Sequence, residues 1–133
     1  MKTLLPGLLL PVLFVLSGCG ANPVAGGTKG RLQAGTAGLG DIQLTVHHSE
    51  GGNWQPIGFG VTDVQGKFEL VQNRAQGPLW LSPGDYRCTL QSAGAPVAIP
   101  DEFSRPETTP LQTAVKNKND FLELKTQEFS LQP

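Results

Sequence analysis

The chain has 133 residues, and its 10 Lys and Arg against 11 Asp and Glu leave a formal net charge of −1. This balance excludes the basic surface that nucleic-acid binding needs, and no Lys or Arg cluster marks a polybasic membrane patch. The 17 Gly and 11 Pro argue against long helices, and the length suits one domain.

The first 18 residues have the layout of a secretory signal peptide. Lys2 supplies a positive charge, and an apolar run follows over residues 4–16. This run is too short for a helix that spans a bilayer, which needs roughly 20 residues. The run ends in Leu16-Ser17-Gly18-Cys19, which resembles the lipobox of bacterial lipoproteins. In that family the Cys is diacylated and becomes the first residue of the mature protein.

The resemblance implies a protein held on a membrane outside the cytoplasm by palmitate-type acyl chains on Cys19. Two chains anchor a protein stably, whereas one binds only marginally. Position 20 is Gly and not the Asp that retains lipoproteins at the inner membrane, so the outer membrane is favoured. We therefore predict a signal peptide at 1–18, a flexible tether at 19–28 and a single domain at 29–133.

Strand patterns separated by turn residues continue through the rest of the chain. The clearest alternation lies in residues 41–48, where it places Val46 and His48 on one face and His47 on the other. Pro56 predicts that the next strand lies at a sheet edge. We predict about seven strands and no amphipathic helix, hence an all-β sandwich or barrel. The strand and short apolar segments are 29–34, 41–48, 54–61, 68–70, 78–81, 86–91, 97–99 and 121–125.

Residue types also predict several turns. Asp63 can cap a turn with its carboxylate and Gly66 can take a positive φ, while Gly84 lets the chain reverse before a strand. Residues 100–111 contain three prolines and are predicted to form an extended, irregular loop.

Several segments together resemble the carboxypeptidase regulatory-like domain. They are Gly30-Arg31-Leu32, residues 39–46, residues 61–68 and Leu81-Ser82-Pro83-Gly84-Asp85-Tyr86. Residues 99–104, 108–111 and 118–121 are similar to small bacterial lipoproteins built on this domain. The resemblance covers about residues 29–125 and implies a seven-stranded, Greek-key, transthyretin-like (prealbumin-like) β-sandwich. The chain departs from the family pattern at Leu32 and in the long 73–77 loop. The resemblance also implies that these motifs shape turns and are not catalytic.

The chain has two cysteines, and a lipidated Cys19 leaves Cys88 without a partner within the chain. Cys88 shares a strand face with Tyr86 and Leu90. We therefore predict a free, buried thiol, with a reactive or intermolecular thiol as the alternative.

The sequence gives little support for a catalytic site or a metal site. His47 and His48 are the only histidines and, as strand neighbours, point to opposite faces, so they cannot chelate one metal together. Intradiol dioxygenases, which use a related sandwich, need two tyrosines, and this chain has only Tyr86. Hydroxyisourate hydrolases end in Tyr-Arg-Gly-Ser, whereas residues 129–133 of this chain are Phe-Ser-Leu-Gln-Pro. We predict no catalytic residue, no cofactor and no metal.

Trp54 and Trp80 are the candidate ligand contacts, because exposed aromatics stack on sugars or anchor partners; core or edge packing is the alternative for each. The predicted function is a non-enzymatic, monomeric envelope lipoprotein that acts as a structural or binding module. Its partners would be the membrane and an envelope protein or polysaccharide, bound through the 100–111 loop. The alternatives are a carbohydrate-binding module that uses Trp54 or Trp80 and, third, a hydrolase.

Overall fold

A computed structural model describes residues 26–132 and shows an all-β fold of two sheets. Within these residues no helix has the length and apolar character needed to cross a membrane. The helical elements that it shows are two short 3-10 turns, Asn73–Ala75 and Asp101–Ser104. The predicted signal peptide, Cys19 and most of the predicted tether lie outside the described residues. The strands are β1 (Lys29–Ala34), β2 (Ala37–Gly38), β3 (Ile42–Glu50), β4 (Asn53–Val61), β5 (Lys67–Glu69), β6 (Val71–Gln72), β7 (Gly84–Ser92), β8 (Gln112–Val115) and β9 (Leu122–Thr126).

The first sheet is organised around β1. On one side β1 pairs in parallel with β9, and on the other it pairs antiparallel with β5 and β2. The second sheet is antiparallel throughout, with the order β6-β4-β3-β7-β8. The first and last strands of the described chain are therefore neighbours.

One core takes side chains from both sheets, which makes the fold a sandwich. The predicted alternation in β3 is confirmed, because Ile42, Leu44 and Val46 are fully buried. Each such side chain contributes roughly 1.5–3 kcal/mol when it leaves water. The other buried apolar side chains of this core include Leu32, Phe68, Leu70, Leu81, Tyr86, Cys88, Leu90, Phe103, Leu111, Val115, Leu122 and Leu124.

The predicted edge position of the Pro56 strand is only partly right. β6 pairs with β4 at Gly58 and Phe59, so β4 is not the outermost strand. Pro56 lies beyond that pairing, and its carbonyl accepts a hydrogen bond from the Asn73 side chain at 3.0 Å. A β-bulge shifts the β3–β4 register between Val46 and His47. Pro56 stands opposite His47 beside this bulge, and a bulge is one of the sheet positions that tolerate the missing N–H of proline.

Residues 100–111 contain no strand, as predicted, but they are not extended, because Asp101–Ser104 form a 3-10 turn, and they are anchored in the fold. Phe103, Thr109 and Leu111 are buried. The Thr109 hydroxyl donates to the carbonyl of Cys88 at 2.7 Å. β8 follows this segment and was not predicted, because Val115 is its one large apolar residue.

The ordered domain begins earlier than residue 29. Thr28, assigned from sequence to the tether, is buried. Its N–H donates to the carbonyl of Leu79 at 2.8 Å, its carbonyl accepts from the N–H of Leu70, and its hydroxyl accepts from the N–H of Leu81 at 2.9 Å. These bonds extend the packed region back to the first described residues.

Candidate binding site on the outer face of the second sheet

Strand register places the two histidines on opposite faces of β3, as predicted. His48 stands opposite Tyr86 on the inner face, and their ring centroids are 5.2 Å apart. His47 stands opposite Arg87 on the outer face. The register thus rules out joint chelation of one metal by the two imidazoles.

Trp54 and Arg87 meet on this outer face. The guanidinium carbon of Arg87 lies 4.4 Å from the centroid of the Trp54 ring. Their strands, β4 and β7, are separated by β3, so the contact passes over β3. A guanidinium over an indole face is a favourable cation–π arrangement.

Arg87 is held from a second side. Its Nη1 donates to the carbonyl of Pro106 at 3.0 Å, which ties the 100–111 segment to the sheet. With one contact to an aromatic ring and one to a carbonyl, the guanidinium is fixed in place.

The pair lines an open groove of about 380 Å³. Asp85, Gln112 and Thr113 add carboxylate, amide and hydroxyl groups to its wall. A flat indole beside several hydrogen-bonding groups is the usual composition of a site for a polar ligand with an apolar face.

His47 lies on the same outer face of β3, with Pro56 of β4 and Arg87 of β7 as its register partners. Although His47 lies on the outer face of the sheet, its side chain is only 7% exposed. Its Nδ1 is buried without a hydrogen-bond partner among the described residues. Burial lowers the pKa of His47, while the backbones of Arg87 and Thr45 and the carboxylate of Glu107 oppose the shift. The imidazole is therefore kept neutral near pH 7.

Trp80 lies elsewhere. It faces outward between Leu79 and Leu81, both of which pack toward the core, and it is 41% exposed. It lines a smaller groove of about 220 Å³ with Lys29 and Phe121. The structure therefore does not bring the two predicted ligand contacts, Trp54 and Trp80, to one groove.

Cys88 occupies the core. It is fully buried, and desolvation raises the pKa of its thiol to about 12. The prediction that Cys88 is buried is confirmed; its thiol is free among the described residues. A protonated, enclosed thiol is inert as a nucleophile.

The predicted turn at Asp63 and Gly66 is present, whereas Gly84 is the first residue of β7 and pairs with Val115. Asp63 Oδ1 accepts hydrogen bonds from the N–H groups of Gln65 at 2.8 Å and Lys67 at 3.0 Å, and these bonds lower the pKa of Asp63. Gly66 has a φ of 83°. Across residues 26–132, His, Cys, Asp and Glu side chains do not gather in groups of three or more that could hold a metal ion.

Arg87 is the residue that sequence reasoning missed. The alternation of β7 placed it on a polar face, but no local signal links it to Trp54, which lies 33 positions earlier. Only the strand order, with β3 between their strands, brings the two side chains together.

No protein-family model matches the chain, and no curated protein matches it. Among solved structures, a crystal structure of (S)-allantoin synthase matches with 17% sequence identity and a TM-score of 0.43. The match covers 82% of this chain but only 43% of that one, so the chain spans less than half of that protein's length.

Proposed function

We propose that this protein is a non-enzymatic lipoprotein of the cell envelope, in which an acylated Cys19 anchors a β-sandwich that acts as a binding or structural module. The observation that carries the proposal is Leu16-Ser17-Gly18-Cys19, placed directly after a short apolar segment that follows Lys2. Gly20 favours delivery to the outer membrane.

The anchor is tested by fractionation of the host cells. The wild-type protein is expected in the membrane fraction, and Cys19→Ala is expected to move it out of that fraction, since no acyl chain can then be attached. Ser17→Ala keeps a small residue ahead of the cysteine and should leave the protein on the membrane. Membrane retention of Cys19→Ala equal to wild type would reject the anchor.

We also propose that the sandwich is of the seven-stranded, Greek-key, transthyretin-like type. Two features support this proposal. Two of the nine strands, β2 and β6, are only two residues long. The Tyr86 hydroxyl donates to the carbonyl of Ser82 at 2.6 Å, which resembles the tyrosine corner of Greek-key sandwiches.

A second candidate function is saccharide binding at the Trp54 groove. The groove offers an indole ring beside Asp85, Arg87 and Gln112, which can hydrogen-bond to sugar hydroxyls. In affinity electrophoresis through envelope polysaccharides, Trp54→Ala should abolish any retardation and Trp80→Ala should preserve it. Equal retardation of wild type and Trp54→Ala would reject this function.

A further inference from the structure

The region where the described chain begins carries an exposed aromatic pair. Trp80 is 41% exposed and Phe121 is 48% exposed, and both line the same shallow groove together with Lys29. We define the aromatic patch as Trp80, Phe121 and the flanking Lys29. Exposed Val61 lines the adjoining groove with Lys29 and Phe121. Large side chains grouped on a surface in this way mark an interaction site.

The patch is fixed to the start of the domain. The hydrogen bonds of Thr28 with Leu79 and Leu81 hold the residues on both sides of Trp80. In the parallel pairing of β1 with β9, Gly30 stands opposite Leu122, which places Lys29 beside Phe121. The chain segment that leads back to Cys19 therefore leaves the domain next to the patch.

The charges around the patch do not favour an anionic polymer. Lys29 and Lys67 face three carboxylates, those of Asp63, Glu69 and Asp120. Glu69 accepts a hydrogen bond from the N–H of Gly26, and Asp63 and Asp120 each accept two backbone N–H groups. With no excess of positive charge, the attraction of this surface comes mainly from its aromatic side chains.

The chain between the anchor and the domain limits how far the patch can move from the membrane. Cys19 and Gly26 are seven positions apart, and a fully extended chain of that length spans at most about 25 Å. Trp prefers the headgroup level of a bilayer, because its ring is apolar and its indole N–H is polar. Phe lacks a polar end, but it is one of the apolar side chains that interfacial protein surfaces bury at the boundary between headgroups and acyl chains.

We propose that Trp80 and Phe121, flanked by Lys29, dock into the headgroup region of the membrane that holds Cys19. This inference rests on the proposed lipid anchor. It gives the tethered sandwich a preferred orientation, with the Trp80 end on the bilayer and the Trp54–Arg87 groove outside the docked patch.

The two tryptophans of the chain permit a matched test. Trp54→Phe leaves Trp80 as the only indole, and Trp80→Phe leaves Trp54. The chain from Cys19 to Pro133 is coupled through Cys19 to a maleimide-headgroup lipid in phosphatidylcholine vesicles with brominated acyl chains. Cys88 is fully buried and stays unmodified. Circular dichroism verifies that both variants are folded.

Bromine atoms on the acyl chains quench the fluorescence of an indole ring that lies in near contact with them. We expect roughly half of the Trp80 emission to be lost on brominated vesicles, as for an interfacial indole, with Trp54 emission almost unchanged. Phe121→Ser, added to the Trp54→Phe chain, should reduce the quenching of Trp80. Equal quenching of Trp80 and Trp54, or none of Trp80, overturns the proposal. A Trp80 emission shift that depends on protein concentration and not on vesicles also overturns it, in favour of a second copy.

The coupling is chemical, so the outcome does not depend on whether the host acylates Cys19. Quenching of Trp80 in a protein that the host leaves unlipidated would reject the proposed anchor and keep the membrane affinity of the patch. Lipidation without quenching would keep the anchor and reject the docking.

Discussion

The guanidinium of Arg87 lies over the ring of Trp54, 4.4 Å from its centroid, and is held on its other side by the carbonyl of Pro106. This arrangement joins β4 and β7 across β3, on the face where His47 is the register partner of Arg87. It links a candidate ligand contact, a buried imidazole and the proline-containing 100–111 segment in one structural unit.

Removal of the Arg87 side chain should destabilise the folded protein. Arg87→Ala is expected to lower the free energy of unfolding by about 1–2 kcal/mol, since it removes a cation–π contact and a charge-assisted hydrogen bond. Urea denaturation followed by circular dichroism measures the change. Arg87→Lys keeps the charge but not the planar fork, so it should fall between wild type and Arg87→Ala. A loss below about 0.3 kcal/mol for Arg87→Ala would contradict the account, because it is the size expected of an ordinary exposed side chain.

His47 should make stability depend on pH. Its pKa is below the ordinary value of 6.5 in the folded protein, mainly because it is buried. As pH falls below 6.5, the unfolded chain takes up a proton that the folded protein resists, so stability falls. Above that pH both states are neutral at His47 and the contribution is constant.

The measurement is the free energy of unfolding of wild type and His47→Gln between pH 7.5 and pH 5. We expect the wild type to lose more stability than the variant over this range. The lowered pKa values of Asp63 and Asp120 act in a separate window, because their ordinary value is 3.8. Parallel pH profiles for the two proteins above pH 5 would show that His47 titrates normally.

Cys88 should be chemically silent in the folded protein. In a Cys19→Ala chain, a thiol reagent such as Ellman's reagent is expected to detect no thiol until urea unfolds the protein, after which it detects one. The cause is complete burial together with a thiol pKa of about 12. Reaction of the native protein at the rate of a small free thiol would contradict the structure.

Gly66 should be intolerant of a side chain. At its φ of 83°, a Cβ would collide with the carbonyl oxygen of Leu32. Gly52 has a similar φ of 87° with open space around it, so Gly52→Ala isolates the cost of the backbone conformation. We expect about 1 kcal/mol for Gly52→Ala and roughly 1–3 kcal/mol more for Gly66→Ala, measured by urea denaturation. Equal losses would mean that the Gly66 turn moves aside without cost.

Local patterns in the sequence predicted much of the fold. Alternation identified most of β3, and Asp63 and Gly66 identified their turn. For Trp80 the sequence left a ligand contact and core or edge packing both open, and the structure shows a side chain that is 41% exposed. These features depend on neighbours within a few positions. A single sequence carries them directly.

The parts that were missed depend on distant residues. β8 has little alternation of its own and exists because Gln112 to Val115 pair with β7. The burial of His47 on the outer face of β3 is also not encoded by local alternation, which identifies only the face on which the side chain lies. The grooves around Trp54 and Trp80 likewise follow from sheet order and pairing register, which local patterns do not encode.

The central claim is the lipid anchor on Cys19, and the most direct test is the intact mass of the protein purified from the membranes of its host. We predict a chain that begins at Cys19 and carries the added mass of a diacylglycerol group, with Cys19→Ala as the control that lacks it. A species that retains residues 1–18, or one cleaved nearby without lipid and recovered from the medium, would contradict the account.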